Sequence, residues 1–147
     1  MRFSTTIAMA AMANGAFGAL VDVVVAAVGA AADDTGALNK AVLAFNGDID
    51  PVVNAAAKLI TDVTNGKKNV DATPGPPLDE DGVFAVVGVI TPLNQNSQDL
   101  VASLKARKPD VEKGGYCELV QKQSQTIYTV STALINTVTD PSYRHLC

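Results

Sequence analysis

Residues 120–138 read VQKQSQTIYTVSTALINTV, and this stretch decides the class of fold. Its apolar and small residues recur in steps of 4, 3, 4, 3 and 4, which is the spacing of one helical face. A stripe of this kind packs against neighbouring helices in a bundle. The sequence therefore predicts a final helix that starts near Gly114-Gly115-Tyr116 and ends before Asp140-Pro141. The stripe comprises Val120, Ser124, Ile127, Ser131, Leu134 and Val138.

A long helix is also predicted after the N-terminal segment. Residues 21–45 contain no proline, and Asn46-Gly47 supplies a left-handed stop. Gly29 and Gly36 each weaken a helix, so a break near Asp33-Asp34 is the alternative to one continuous element. The later half of this segment has one apolar face, formed by Leu38, Val42 and Phe45.

A second helix is predicted to open at Asp50, whose side chain caps the free N–H groups. Pro51 then occupies the first helical position, where its missing N–H costs nothing. Asn65-Gly66 is expected to close this helix. Lys67–Pro77 has no periodicity and carries three prolines, so it is predicted to be a surface connection. The apolar face of the second helix comprises Val52, Ala56, Leu59, Ile60 and Val63.

The apolar run Val83–Ile90 fits either a helix or a buried strand. Asp79-Glu80-Asp81 precedes it, and acidic residues suit a helix N-terminus. A strand would also need a partner, and no second strand-like run is present, so we expect a helix. Pro92 is expected to kink or divide this segment, which resumes until Lys108-Pro109. The resumed face comprises Leu93, Ser97, Leu100, Val101 and Leu104.

These patterns predict an all-α fold, a single antiparallel bundle of four to five helices with an elongated apolar core or cavity. The chain has 147 residues, which is enough for one domain. It contains 22 alanines and 19 valines but no tryptophan. The interior must therefore be built from small aliphatic side chains.

Composition excludes several classes of function. A net charge of -4 disfavours nucleic acid and anionic membrane surfaces as partners. His145, Cys117 and Cys147 are too few soft ligands for a zinc or copper site. Asp48-Ile49-Asp50 lacks the glycine and glutamate of a calcium loop and is better explained as a helix cap. Nucleophile-elbow and phosphate-loop motifs are also missing from the sequence, so we expect no enzyme, no cofactor and no metal.

The first residues have the pattern of an export signal. Arg2 gives a positive start, Phe3–Ala13 is apolar, and small residues follow at positions 14–19. We therefore expect a signal peptide at 1–19, a helical domain at 20–147, and an extracellular or cell-wall location. A retained membrane span is the alternative, but Asn14 and Asp22 interrupt the apolar run, so no transmembrane segment is predicted.

The order of these features resembles the fungal hydrophobic surface binding protein A family, which includes cell wall galactomannoproteins. The resemblance covers about Val21 to Val138. It is carried by the end of the first helix at Leu38–Asp48, the kinked middle at Thr91-Pro92-Leu93, the segment Leu100–Pro109 and the last helix. It implies a secreted helical bundle that adsorbs to hydrophobic surfaces or encloses a lipid such as a fatty acid.

A lipid-binding interior is the site hypothesis that follows, because helix faces with few bulky side chains leave volume that an acyl chain would fill. Ser97, Ser124 and Ser131 are the head-group candidates. Lys105, Arg107 and Lys108 complement a helix C-terminus or, alternatively, meet a carboxylate at the cavity mouth. A structural mannoprotein or adhesin without a small ligand is the alternative function, with cell-wall polysaccharide as a further partner. The predicted lipid-binding residues are Val42, Phe45, Val53, Ile60, Phe84, Val87, Ile90, Leu104, Ile127 and Leu134.

Cys117 and Cys147 are predicted to form a disulfide, which is expected in an exported protein. Pairing within one chain is difficult, because the tail that carries Cys147 spans at most about 34 Å and would have to fold back along roughly 30 Å of helix. Pairing between two chains is therefore an open alternative. A Cys117–His145 nucleophile pair lacks an orienting third group.

Processing of the N-terminus is directly testable by mass spectrometry of protein from culture medium. We expect a chain that has lost its first 13 to 19 residues, because small residues at these positions suit signal peptidase. An intact Met1 on a membrane-bound protein would reverse this interpretation.

Overall fold

The computed structural model describes residues 18–76 and 78–139, and four helices account for most of them. They are α1 (Ala19–Leu43), α2 (Asp50–Ala72), α3 (Glu80–Lys113) and α4 (Cys117–Thr139). No strand occurs within the described ranges. The run Val83–Ile90 lies inside α3, so the prediction of a helix there is confirmed. The predicted signal segment falls outside the described residues except for Gly18 and Ala19.

Short polar and glycine motifs set the helix ends. The Asp79 side chain accepts a hydrogen bond of 2.8 Å from the Gly82 N–H at the start of α3, as an N-cap does. Gly47 has a φ of 109° after α1, and Gly115 has a φ of 74° between α3 and α4. Side chains rarely adopt these positive angles, so both turns favour glycine. The predicted stop at Asn46-Gly47 and the predicted start of the final helix near Gly114-Gly115-Tyr116 are confirmed.

Consecutive helices run in opposite directions, and α1 is the central element. It packs against α2 on one side and against α3 on the other, while α4 packs mainly on α2. Asn96 donates a 2.8 Å hydrogen bond to the carbonyl of Ala32, and Arg107 donates one of 2.5 Å to that of Leu43. These two bonds show that α3 runs parallel to α1. The predicted all-α bundle is confirmed.

The helices bury a cluster of mostly small aliphatic residues, as the composition requires. α1 contributes half of it, and the side chains of Val24, Leu59 and Val63 are almost fully shielded from solvent. The cluster comprises Leu20, Val24, Ala27, Val28, Ala31, Leu38, Val42, Ala56, Leu59, Val63, Val70, Val86, Leu100 and Leu134.

The predicted end of α2 at Asn65-Gly66 is wrong, because the helix continues to Ala72. Gly66 is buried, and a Cβ placed on it would stand 2.9 Å from that of Ala27. The glycine therefore serves the close approach of α1 and α2 rather than the end of a helix. The surface connection is correspondingly shorter than Lys67–Pro77, with its first residues helical and Lys67 paired to Asp71 at 2.6 Å.

α1 is continuous through Asp33-Asp34, so the prediction of one long helix is confirmed over its alternative. Other local predictions differ from the structure, because α3 is not divided at Pro92 or ended at Pro109. Packing of α3 onto α1 on both sides of Pro92 outweighs the lost backbone hydrogen bond. At the start of α2, Asp50 is the first helical residue, and its N–H donates to the Asp48 side chain at 3.0 Å. The N-cap position is Ile49, whose side chain makes no capping hydrogen bond, so the predicted cap by the Asp50 side chain is wrong.

An ionic cluster joins α1 to α2. Lys58 Nζ lies 2.5 Å from Asp34 Oδ1 and 2.6 Å from Asp62 Oδ2. The Asp34 side chain is 8% exposed, and this burial raises its pKa even though the bond to Lys58 opposes the shift. The hydrogen bond from Lys58 lowers the pKa of Asp62. The contributions of the two carboxyl groups to the free energy of unfolding therefore change with pH in opposite directions.

An Asp34→Asn substitution tests this ionic cluster. A carboxyl group whose pKa is raised in the folded state stabilises the fold most below its unfolded pKa of about 3.9. That contribution is lost as the pH rises through the raised value. Because asparagine does not titrate, the free energy of unfolding of Asp34→Asn relative to wild type should increase over this pH range. Urea denaturation at a series of pH values measures the difference.

An Asp62→Asn variant is the matched control, because its sign is reversed. The lowered pKa of Asp62 stabilises the fold above the unfolded pKa, and this contribution disappears as the pH falls through the folded value. Relative to wild type, Asp62→Asn should lose stability as the pH rises from acid to about 4. Parallel profiles for the two variants would contradict the assignment.

Candidate functional site

The interior of the bundle opens between α3 and α4. These two helices are joined by the short connection at residues 114–116, yet α3 packs on α1 while α4 packs mainly on α2. The facing sides of α3 and α4 are therefore not closed against each other. Two adjacent apolar cavities occupy this space, and we call them together the α3–α4 groove.

The larger cavity has a volume of about 300 Å³ and lies toward the end of the bundle that holds the start of α4. All four helices contribute to its wall, with α1 and α2 forming the floor. It is lined by Leu38, Ile49, Val52, Val53, Ala56, Ser97, Leu100, Val101, Leu104, Leu119, Val120, Gln123, Ser124, Ile127, Tyr128 and Ser131.

The smaller cavity has a volume of about 180 Å³ and continues toward the other end of α4. Ser131 borders both cavities, so they are neighbours along the same groove. It is lined by Val28, Ala31, Thr35, Leu59, Val63, Ile90, Leu93, Asn94, Ser131, Leu134, Ile135 and Val138.

The two helices that flank the groove expose apolar side chains at its edge. Val101 and Ile90 do so on α3, while Tyr128 and Ile135 do so on α4. Tyr128 is 69% exposed, which is a large fraction for an aromatic side chain. We call these four residues the rim. An apolar object entering the groove would cover both the floor and the rim.

Half of the predicted lipid-binding residues lie in this groove. Val53, Leu104 and Ile127 line the larger cavity, and Ile90 and Leu134 line the smaller one. The stripe predicted on α4, from Val120 to Val138, borders the groove along its whole length.

The other predicted lipid-binding residues lie elsewhere. Val42 is buried in the core, and Ile60 is partly buried outside both cavities. Phe45 is buried with its ring edge-on to Tyr116, with ring centroids 6.2 Å apart. These three side chains contribute to the packing of the bundle and do not line the groove.

Phe84 and Val87 were predicted to face inward, and this prediction is wrong. They are 66% and 50% exposed, respectively. Inward positions on α3 are instead those of Gly82, Val86 and Leu100. Because Val83–Ile90 contains no polar residue, its hydrophobic pattern cannot indicate which side of the helix is buried.

The three predicted head-group serines all border the groove. Ser97 and Ser124 line the larger cavity, and Ser131 lines both. The Ser97 hydroxyl donates to the carbonyl of Leu93 at 2.7 Å, which leaves its oxygen able to accept a further hydrogen bond. Gln123 also lines the groove, and the sequence analysis missed it because it lies one position from the predicted stripe.

The basic residues of α3 do not reach the groove. Arg107 donates to the carbonyl of Leu43 and to Asp110 Oδ2, the latter at 3.2 Å. Lys108 lies 3.5 Å from Glu112. No charged side chain appears among the described residues that line either cavity, so a carboxylate head group would have only hydroxyl and amide partners there.

Other predicted sites are only partly described. Cys117 is exposed at the start of α4, whereas Cys147 and His145 lie outside the described residues. In the described ranges, acidic, histidine and cysteine side chains nowhere form a group of three suited to a metal ion. Among the helices given above, none is both long and apolar enough to cross a bilayer.

Comparison with known proteins identifies a family. Residues 21–140 match the family model described as hydrophobic surface binding protein A. No curated protein and no solved structure matches the chain. This confirms the resemblance inferred from the sequence, and membership implies hydrophobic surface binding. Since the match covers most of its length, this chain belongs to the hydrophobic surface binding protein A family.

Proposed function

We propose that this protein binds apolar matter at two places, an acyl chain in the α3–α4 groove and an extended hydrophobic surface at an exposed patch on α3. The observation that carries the proposal is the open, uncharged groove between two helices that pack on different neighbours. Family membership supports the surface-binding part. Catalysis is not part of the proposal.

The shape of the groove suits an acyl chain. Its larger cavity, at about 300 Å³, is at the lower end of the range typical of small-molecule pockets. Aliphatic side chains from four helices surround it, and burying a chain there gains up to about 0.8 kcal/mol per CH₂ before the cost of ordering. Ser97, Ser124 and Ser131 supply hydroxyl groups for a polar head.

The exposed patch on α3 suits adsorption to wax, plastic or wall polymer. Val83, Phe84 and Val87 lie on one side of the first turns of α3, and each exposes about half of its surface or more. They line neither cavity. A cluster of exposed large apolar side chains marks an interaction surface in a soluble protein.

Secretion to the medium or cell wall completes the proposal, and the N-terminal signal pattern supports it. A structural wall protein without a small-molecule ligand is the second candidate. It would use the α3 patch alone, with wall polysaccharide as a partner.

An Ile127→Asp substitution tests the acyl-chain site. Ile127 lines the larger cavity from α4, and a carboxylate there would place a charge against the acyl chain in a cavity that no cationic side chain lines. We expect at least about a tenfold loss of affinity for a fluorescent fatty acid, which corresponds to about 1.4 kcal/mol. Displacement titration of the labelled ligand by palmitate measures the change.

Gln121→Asp is the matched control, because it adds the same charge to an exposed position on α4 outside both cavities. It should bind like wild type. If wild type shows neither co-purified lipid by native mass spectrometry nor saturable displacement, the acyl-chain proposal fails and only adsorption remains.

A Phe84→Asp substitution tests the adsorption patch separately. Phe84 lines neither cavity, so fatty-acid binding is expected to stay unchanged, while the adsorption constant on polystyrene beads should fall about tenfold or more. Depletion of protein from solution measures adsorption. Unchanged adsorption in Phe84→Asp, or an equal loss in Gln121→Asp, would show that the patch is not the contact surface.

A further inference from the structure

The two cavities of the α3–α4 groove adjoin end to end. On α1, α2 and α3 the lining of the smaller cavity begins three residues from that of the larger cavity, and on α4 the two linings share Ser131. Residues three apart lie on the same side of a helix in successive turns. A flexible chain in the larger cavity can therefore continue into the smaller one along the same helix faces. The residues at this junction are Leu38 and Thr35 on α1, Ala56 and Leu59 on α2, and Ser97 and Asn94 on α3.

The two volumes together match one acyl chain of about sixteen carbons. In a liquid, a methylene group occupies about as much space as a water molecule, which is about 30 Å³. The larger cavity, with about 300 Å³, therefore holds about ten methylene groups. The smaller cavity, with about 180 Å³, holds about six more. A chain that fills only the larger cavity leaves the smaller one empty.

Polarity and burial differ between the two cavities. In the smaller cavity Thr35 is buried, and its hydroxyl already donates to the carbonyl of Ala31 at 2.7 Å. Asn94 is exposed on α3, whereas Leu59 and Val63 in the same lining are each only 1% exposed. The polar head of a ligand is therefore expected in the larger cavity and its methyl end in the smaller one. The polar side chains of the larger cavity are Ser97, Gln123, Ser124, Tyr128 and Ser131.

We propose that the α3–α4 groove selects its ligand by chain length, and that it takes one unbranched acyl chain of about sixteen carbons. This selectivity rests on the acyl-chain function proposed for the same groove. Affinity rises by up to about fourfold for each methylene group that leaves water. It levels off at about sixteen carbons, because the two cavities are then full and further carbons remain in water.

Ala31 is the residue that sets this length. It lies on α1 in the lining of the smaller cavity, where it is 4% exposed and has the smallest side chain. A larger side chain at this position would take space from the methyl end of the ligand. The larger cavity would keep its volume, because its wall on α1 is formed by Leu38.

An Ala31→Leu substitution tests the chain-length selectivity. Leucine adds an isopropyl group, so the smaller cavity should hold about three fewer methylene groups. Affinity for palmitate should fall at least about tenfold, whereas affinity for decanoate should change by less than about twofold. Displacement of a fluorescent fatty acid by saturated acids from octanoate to arachidate measures the whole profile. In wild type, affinity should rise up to palmitate and then stay level.

Ala30→Leu is the matched control, because it makes the same change one position away, at an exposed residue of α1 outside the groove. It should keep the wild-type profile. Val138→Phe is a second test, since it fills the same cavity from the last turn of α4, where it replaces a partly buried side chain. Selective loss of palmitate binding in a variant that circular dichroism shows to be folded supports the proposal.

Two kinds of failure are distinguishable. Equal losses for decanoate and palmitate, unchanged profiles in both filled variants, or a wild-type affinity that keeps rising through arachidate would overturn the chain-length selectivity and leave the acyl-chain site in place. Wild type that binds no acid of the series would overturn the acyl-chain site as well.

Discussion

The close approach of α1 to its two neighbours is the constraint on which the rest of the structure depends. Small residues allow it, since Gly66 of α2 lies against Ala27 and Gly82 of α3 lies against Val21. A chain rich in alanine and valine without tryptophan gains stability by bringing backbones close rather than by filling space with large rings. The fold therefore has a tightly packed centre at α1, with α2 and α3 held on either side.

The groove follows from that arrangement. α3 packs on α1, and α4 packs mainly on α2. The short loop therefore joins two helices, α3 and α4, that do not close against each other. Most side chains on their facing sides are aliphatic, so the gap is mainly apolar and contains few groups that would hold water. The proposed acyl-chain site therefore follows from the way the four helices pack.

The class of fold and much of the groove could be predicted from sequence, since the α4 stripe from Val120 to Val138 specifies both its helix and its inward face. The glycine and proline residues that usually mark the ends of helices were less informative. Gly66 has the sequence signature of a helix end, but only the tertiary contact with Ala27 shows its actual role. Phe84 was predicted to face inward, because an entirely apolar run does not indicate which side of a helix is buried. Pro92 was expected to kink or divide its helix, but packing onto α1 outweighs that local preference.

The position of α4 has a consequence for the energy landscape of the bundle. Its main contact is with α2, and this interface is smaller than those that join α1 to α2 and to α3, so α4 shares the least interface with the remainder. Elements with few buried contacts open at the lowest free energy and behave as separate cooperative units in hydrogen exchange. Partial opening would thus release α4 while α1 and α3 remain folded, and it would present the apolar interior without global unfolding.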